Sequence, residues 1–536
     1  MTQVNDSGSA NDAPANASAA VVSTDAIGTQ SNKGPDKISD SEKLKQLFDN
    51  SESMYLSAGK GEALDFTSDE SFTNLKDPDT RSDEELLAIE AEVCSHGDTV
   101  HYAEDPKFFQ TAHGSYLYDG ENTPYLDLQM WYSAVNLGYG NKRVNNALKK
   151  QIDKLPQLAC QYLHREKVQL AELISRGIER TLGAKGRVQF NVGGAQAVED
   201  ALKLVRKTTG KSRMLAFEGG YHGRTLGASA ITSSYRYREA YGEFGDRAEF
   251  VPYPYCYRCP YGKKEETCEL YCVQQIERKF ENEYTGWWNP KTKKSEFGAF
   301  FVEVIQGTGG YVPPPKGYME RLAKVCQEHG ILIVDDEIQM GFFRTGKLWA
   351  IENTEVVPDI MVFGKALTNG MNPLSAIWAK EELISPDKFG PGSTHSTFSS
   401  NTLGTATGLE VMKIFSESDW ETSVNEKGAY FLDLLKHLQK KHSEIGDIDG
   451  RGLALRMEMC EADGFTPSRK LADAMFQKGL EGNLHVNGKK LGLILDIGGY
   501  YKNVVTLAPS LTISYEEMDL AHDLLDLVIT ECKKEI

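Results

Sequence analysis

The chain has 536 residues, 40% apolar and 25% charged, with 59 basic against 77 acidic side chains and a formal charge of −18. That length accommodates two or three domains of an ordinary globular protein, and no apolar run reaches the roughly 18 residues of a membrane helix. The acidic balance argues against nucleic acid or an anionic membrane as partner, because both repel a negative surface, but it leaves small anions open to capture by local cations.

Residues 1–40 are mostly Ser, Ala, Asn, Asp, Thr and Gly. They cannot bury enough surface to offset their ordering entropy and are expected to form a disordered tail. The N-terminus lacks the apolar core of a secretory signal; acids recur from Asp6, and the first arginine is Arg81. Both features disfavour a targeting leader and make the cytoplasm the expected location. Residues 41–98 read as a helical, acidic extension with Leu44, Leu47 and Phe48 on one apolar stripe and Leu86, Leu87 and Ile89 on another.

Residues 99–168 read as the N-terminal part of a small domain with its linker. Gly114 to Gly120 and Tyr125 to Leu128 alternate around a turn and predict a hairpin, which leads to Met130-Trp131-Tyr132. Residues 169–415 read as a large α/β domain. Its predicted strands are 188–190, 214–217, 250–253, 300–304, 331–335, 360–363 and 374–378. Helical periodicity between most of them implies a mainly parallel sheet with right-handed crossovers. Residues 416–536 read as a C-terminal small domain, with helical patterns over 424–442 and 516–532 around the segment 451–460.

Three stretches of the large domain carry chemistry. Gly193-Gly194-Ala195-Gln196 lies between a strand and a helix, where backbone N–H groups and the helix start attract an anion, although a tight turn needs glycines there anyway. Gly219-Gly220-Tyr221-His222-Gly223 brings an aromatic ring and an imidazole to a glycine turn, where a ligand can approach; core packing is the bland alternative. The apolar run Ile331 to Val334 ends in Asp335-Asp336-Glu337, and the strand before Lys365 ends at Phe363. Open α/β sheets bind ligands at such carboxyl ends. A carboxylate and a lysine there suit pyridoxal phosphate (PLP): the amine condenses with the cofactor aldehyde as a Schiff base, and the acid keeps the pyridine nitrogen protonated.

Nine cysteines are present, four of them as Cys256-x2-Cys259-x8-Cys268-x3-Cys272. Two close pairs suggest a structural zinc site or disulfides. The spacing is loose beside established zinc ribbons and a cytosolic setting disfavours disulfides, so a thiol-packed loop without metal is expected.

Asp336, Glu337, Ile338, Gln339, Gly341, Arg344, Thr345, Gly346 and Lys365 together resemble the signature of class III (ornithine/ω-amino-acid type) aminotransferases, with related words over about residues 99 to 536. The resemblance implies PLP fold type I, a large domain with a mainly parallel seven-stranded sheet plus a small α+β domain. It implies that Lys365 is the catalytic, cofactor-bearing lysine. Asp336, rather than Asp335, faces the pyridine nitrogen, because it directly precedes Glu337. Gln339 reaches the ring hydroxyl, Tyr221 stacks on the ring with His222 beside it, and Gly194 and Ala195 hold the phosphate, Ala195 without the family's hydroxyl. Thr397, in His395-Ser396-Thr397-Phe398-Ser399-Ser400-Asn401, reaches the phosphate of a neighbouring subunit, so a homodimer with shared sites follows; Ser399-Ser400 replaces a glycine pair and is expected to alter that loop.

The implied activity is that of an omega-transaminase: ping-pong transfer of an amino group from a primary, terminal amine or amino acid to a keto acid or aldehyde. The alternatives are another PLP reaction on the same fold (decarboxylase, aminomutase or amine lyase) and a non-catalytic scaffold. On the substrate side Trp131 stands for a family glycine. Thr308 and Thr506 stand where family members carry a gating Glu and Arg, which predicts a more apolar pocket. Arg451 is a candidate cation for an acceptor carboxylate, though it also suits bracing of the small domain.

Overall fold

The computed structural model describes residues 81–95, 97, 106–239, 241–242, 244 and 248–535, so the expected tail and most of the 41–98 extension lie outside the described residues. The chain divides into one unit ending at Cys94 and a second from Ser95 to Ile536. The described part of the first is the helix Asp83–Val93. Ser82 accepts from the Glu85 N–H and Glu85 reaches back to the Ser82 N–H, a reciprocal cap that fixes the helix start. No residue of that helix is buried.

The second unit is built on seven strands: β1 (Gly186–Asn191), β2 (Arg213–Phe217), β3 (Glu249–Val251), β4 (Phe297–Val302), β5 (Leu332–Asp336), β6 (Ile360–Phe363) and β7 (Ser375–Lys380). Their spatial order is β1-β7-β6-β5-β4-β2-β3. All neighbours are parallel except β7, which is antiparallel to both β6 and β1. All seven predicted strands are present, with ends moved by up to three residues. Every residue of β4 and β6 is buried, as continuous apolar runs covered by helices on both faces require.

The helix Gly194–Thr209 shows the logic of the covering layer. Ala197, Val198, Ala201, Leu204 and Val205 recur at helical spacing and are buried, and Gly210 ends the helix at φ 70°. Parallel pairing sets Asp336 opposite Val362, so β5 and β6 end side by side. Lys365 follows two residues after β6.

Two smaller multi-stranded sheets and one two-stranded pair, Trp288–Asn289 with Lys294–Ser295, complete the unit. The predicted hairpin pairs Tyr116–Asp119 with Pro124–Asp127, and the latter runs parallel to Lys489–Ile494, with Tyr125 opposite Gly492. Segments more than 350 residues apart in sequence thus share one sheet. The other sheet comprises Ile445–Arg451, Ala454–Met459, Val504–Leu507 and Asp496–Gly498. The closing helix is Tyr515–Glu535.

Candidate active site

Strand alternation sends the two aspartates of β5 to opposite sides. Asp336 Oδ2 lies 2.8 Å from His222 Nδ1, and its Oδ1 accepts the Ile338 N–H at 3.1 Å. Behind them Glu303, the residue after β4, is buried and accepts the N–H groups of Tyr221 (2.8 Å) and Gly307 (2.9 Å). Burial lowers the His222 pKa, but Asp336 and Glu303 outweigh it and hold the imidazole above its ordinary value.

Lys365 opens a short 3-10 turn at φ 42° and donates no hydrogen bond among the described residues. Burial lowers its amine to about 8, against the opposing pull of Asp336, Glu303 and Asp496. A lysine so placed is still mostly protonated at neutral pH but gives up its proton far more readily than an ordinary lysine, and can act as nucleophile or base. Asp336 and His222 are in contact, and Lys365 lies within electrostatic reach of Asp336.

The helix Gly194–Thr209 starts beside them. Its cap residue Gly193 offers no side-chain acceptor to the first N–H groups. A Cβ on Gly364 would lie 3.9 Å from Gly194 Cα, and one on Gly194 would sit 2.9 Å from Ile338 Cδ1. The helix start therefore packs directly against the residue before Lys365. Gly223, at φ 124°, would push a Cβ to within 2.6 Å of the Ala195 side chain, so only glycine allows this turn to close on the helix. Tyr221 meets Tyr237 edge-on at 5.1 Å, and Gln339 Nε2 donates to the Tyr311 hydroxyl at 2.9 Å. A carboxylate bonded to a buried imidazole, an amine within electrostatic reach of that carboxylate, and an uncapped helix start packed beside the residue before the amine lie together. These fit the pyridine nitrogen, aldehyde and phosphate of PLP.

The substrate side departs more from expectation. Met130, Trp131, Tyr132 and Ser133 all take left-handed backbone, with φ between 45° and 66°. Trp131 is 56% exposed. Buried Arg344 fastens this turn through Ser133 Oγ (2.8 Å) and Asn136 Oδ1 (2.6 Å) and ties it to the carbonyls of Leu453 (3.0 Å) and Pro509 (2.6 Å). Thr308 offers its carbonyl to the Gly499 N–H at 3.0 Å, and the Thr506 hydroxyl donates to Asp496 Oδ2 at 2.7 Å. The expected apolar wall is corrected at this point: Asp496 puts a carboxylate against Thr506, within electrostatic reach of Lys365. Arg451 is spent locally, on the Gly450 carbonyl (2.9 Å) and Asp449 (3.6 Å).

Thr397 is exposed on its loop rather than folded into its own chain's cleft. The serine pair does not abolish the glycine-like geometry: Ser400 holds φ 52°, its carbonyl 3.0 Å from His164 Nε2, while the Ser399 hydroxyl braces Ser396. The four clustered cysteines are free and line one cavity of about 20 Å³. Among the described residues no group of three or more side chains is placed to hold a metal. Sequence reasoning assigned no role to Glu303, Tyr311, Asp496 or Lys502. Asp496 had a signal: it ends the apolar run Leu493-Ile494-Leu495, the same pattern that singled out Asp336.

The family model for class-III aminotransferases matches residues 99–529. The chain is 31% identical to the ornithine aminotransferase of Brevibacillus brevis over 79% of its own length and 94% of that protein. It is 30% identical to a leucine/methionine racemase of Thermococcus litoralis, over 84% of this chain and 96% of the other. Among solved structures, a Bacillus anthracis aminotransferase superposes with a TM-score of 0.74 at 28% identity, covering 84% of this chain and 98% of that one. An S-selective transaminase from an Arthrobacter species gives 0.73 at 25% identity, over 85% and 99%.

Proposed function

The chain belongs to the class-III aminotransferases, PLP-dependent enzymes of fold type I, and from that premise we propose the roles of its residues and the kind of amine it takes. Bound in the cleft, PLP supplies an aldehyde and an electron-accepting pyridine. Lys365 Nζ would hold the cofactor's aldehyde and would move the proton at the carbon bearing the amino group. Asp336, held by His222, keeps the pyridine nitrogen protonated. Tyr221 covers the ring, Gln339 reaches its hydroxyl, and the N–H groups at Gly194 and Ala195 take the phosphate. The observation that carries this assignment is the placement of Asp336 and Lys365 at the ends of adjacent parallel strands, with the amine lowered to about 8.

The donor is a primary amine carried at the end of a chain, with Trp131, Thr308 and Thr506 shaping its pocket; the acceptor is a keto acid or aldehyde. The exposed Thr397 serves the phosphate of a second copy, making a homodimer the functional unit. Nine free cysteines support a reducing, cytoplasmic setting, and no helix among the described residues is long and apolar enough to cross a membrane.

The test is single-turnover spectroscopy of the holoenzyme with amine alone, for wild type and Lys365→Ala. Transfer consumes one amine per cofactor and leaves the aminated cofactor, whereas a racemase or lyase returns the cofactor to its starting form. Lys365→Ala is expected to bind PLP without covalent attachment and to show no turnover. Ordinary multiple turnover by that variant would remove Lys365 from the reaction. For the pocket, a longer aliphatic diamine is expected to be preferred over ornithine in kcat/KM; preference for ornithine by both wild type and Trp131→Gly would overturn it.

A further inference from the structure

A 2-oxo acid brings a carboxylate into a partly dehydrated cleft, and that charge needs a cation. Thr308 and Thr506 cannot supply one, and Arg451 is occupied by its own strand. The turn after strand Asp496–Gly498 lies against this wall. Its Gly499 N–H donates to the Thr308 carbonyl at 3.0 Å, and the Tyr500 hydroxyl donates to the Glu218 carbonyl at 2.7 Å and to Gln306 Oε1 at 3.0 Å. The Lys502 N–H then donates to the Gly499 carbonyl at 3.2 Å and closes the turn.

Lys502 holds φ 55°, a backbone conformation that disfavours any residue with a Cβ. Its side chain is partly buried, yet its ammonium makes no hydrogen bond or close ion pair among the described residues. The charged groups around it are Asp496, which attracts, and Arg236 and Arg469, which repel. Arg469 is engaged with Asp473 at 3.1 Å. Asp496 acts electrostatically on both Lys502 and Lys365. An uncommitted cation on the turn that closes against Thr308 is therefore coupled to the same Asp496 as the reacting amine.

We propose that Lys502 binds the carboxylate of the 2-oxo acid acceptor, with Asp496 as its counter-ion while no acceptor is bound. This rests on the aminotransferase assignment and adds the residue that selects the second substrate. A donor without a carboxylate does not engage Lys502, so the two half-reactions separate its role from a merely structural one. In Lys502→Met holoenzyme, the KM for 2-oxoglutarate is expected to rise at least about tenfold, and the affinity for glutarate, measured by calorimetric titration, to fall as much. KM for a carboxylate-free amine stays within about twofold, and Lys502→Arg keeps both carboxylates within about threefold. Lys502→Gln serves if the methionine variant folds poorly. Unchanged 2-oxoglutarate and glutarate binding in Lys502→Met, an equal rise for the amine, or loss of carboxylate binding in Arg236→Gln instead would overturn the proposal. So would failure of the wild type to bind glutarate. The amine half-reaction, read in the same preparations, shows independently whether the transfer assignment stands.

Discussion

At Asp335 and Asp336 the alternation of strand side chains gives two adjacent carboxylates opposite environments. Asp336 faces His222 and the cleft, where a cation can neutralise it. Asp335 is fully buried, finds no donor for either oxygen among the described residues, and lies beside Glu337, whose oxygens accept the Ala350 and Ile351 N–H groups at 2.9 Å. Burial and the neighbouring Glu337 hold Asp335 well above the ordinary carboxylate range, so it keeps its proton to higher pH when folded than when unfolded. Asp336→Asn is expected to cut kcat about a hundredfold, as loss of a buried charge partner costs about 3 kcal/mol. Steady-state kinetics check this, and a larger loss in Asp335→Asn would shift the register by one. For Asp335 the sign of the pH effect follows from linkage. Above its unfolded value of 3.8 the folded state binds the proton and the unfolded state does not, so this residue lowers stability as pH rises. Relative to wild type, Asp335→Asn should gain stability as pH rises above about 4, by no more than about 1.4 kcal/mol per pH unit. Urea unfolding across that range measures it, and parallel stability curves would rule the buried proton out.

The elements most legible in sequence are those whose burial leaves a continuous or periodic apolar trace. β5 and β6 read directly from Leu332-Ile333-Val334 and Ile360-Met361-Val362-Phe363, and with them came Asp336 and Lys365. What stayed hidden depends on backbone sign and on register. Nothing in the polarity of Met130-Trp131-Tyr132-Ser133 announces four left-handed residues, and the role of Asp496 appears only when its strand sets it opposite Thr506. The left-handed turn invites a test. Each such residue with a side chain costs roughly 1–2 kcal/mol, which a glycine recovers, while the exposed Trp131 ring offers limited packing in return. Trp131→Gly is therefore expected to change unfolding free energy by less than about 1 kcal/mol while shifting donor preference; calorimetry with amine kinetics separates the effects, and a severe loss of stability would make Trp131 a structural residue. The cysteine loop gives a second element-scale expectation. Burial pushes the Cys256 thiol up to about 12 and Cys272 up to about 11, with nearby Glu265 and Cys268 adding to the respective shifts. Thiolate is the reactive form, so alkylation at pH 8, followed by peptide mapping, should leave both largely unmodified. Rapid labelling of either would contradict it.

Over the whole molecule, the largest exposed apolar side chains include Leu163 (77%), Leu226 (74%) and Phe398 (69%). The His164–Ser400 contact at 3.0 Å joins the segment of Leu163 to the loop of Thr397 and Phe398, and Leu226 follows the turn that carries Tyr221 and His222. Exposed apolar side chains such as Leu163 and Phe398, on two segments joined in this way, are what a second copy would cover, and Phe398 adjoins Thr397, proposed to serve a second subunit's phosphate. Covering these side chains with a second copy would bury Phe398 and bring Thr397 to its target in one step. Each copy carries a formal charge of −18, however, so association by apolar contact works against long-range repulsion. Salt screens that repulsion over a Debye length of about 10 Å at 0.1 M and about 30 Å at 0.01 M, and leaves apolar burial intact. Phe398→Asp should weaken the dimer into the range where sedimentation velocity resolves both species, with loss of PLP on dilution faster than in wild type. In that variant, raising salt from about 0.01 to about 0.15 M should tighten association, the reverse of an interface held by ion pairs. A Phe398→Asp protein that stays dimeric at every concentration would place the interface elsewhere. One that becomes monomeric yet keeps PLP as tightly as wild type would separate dimerisation from the shared site and remove Thr397 from it.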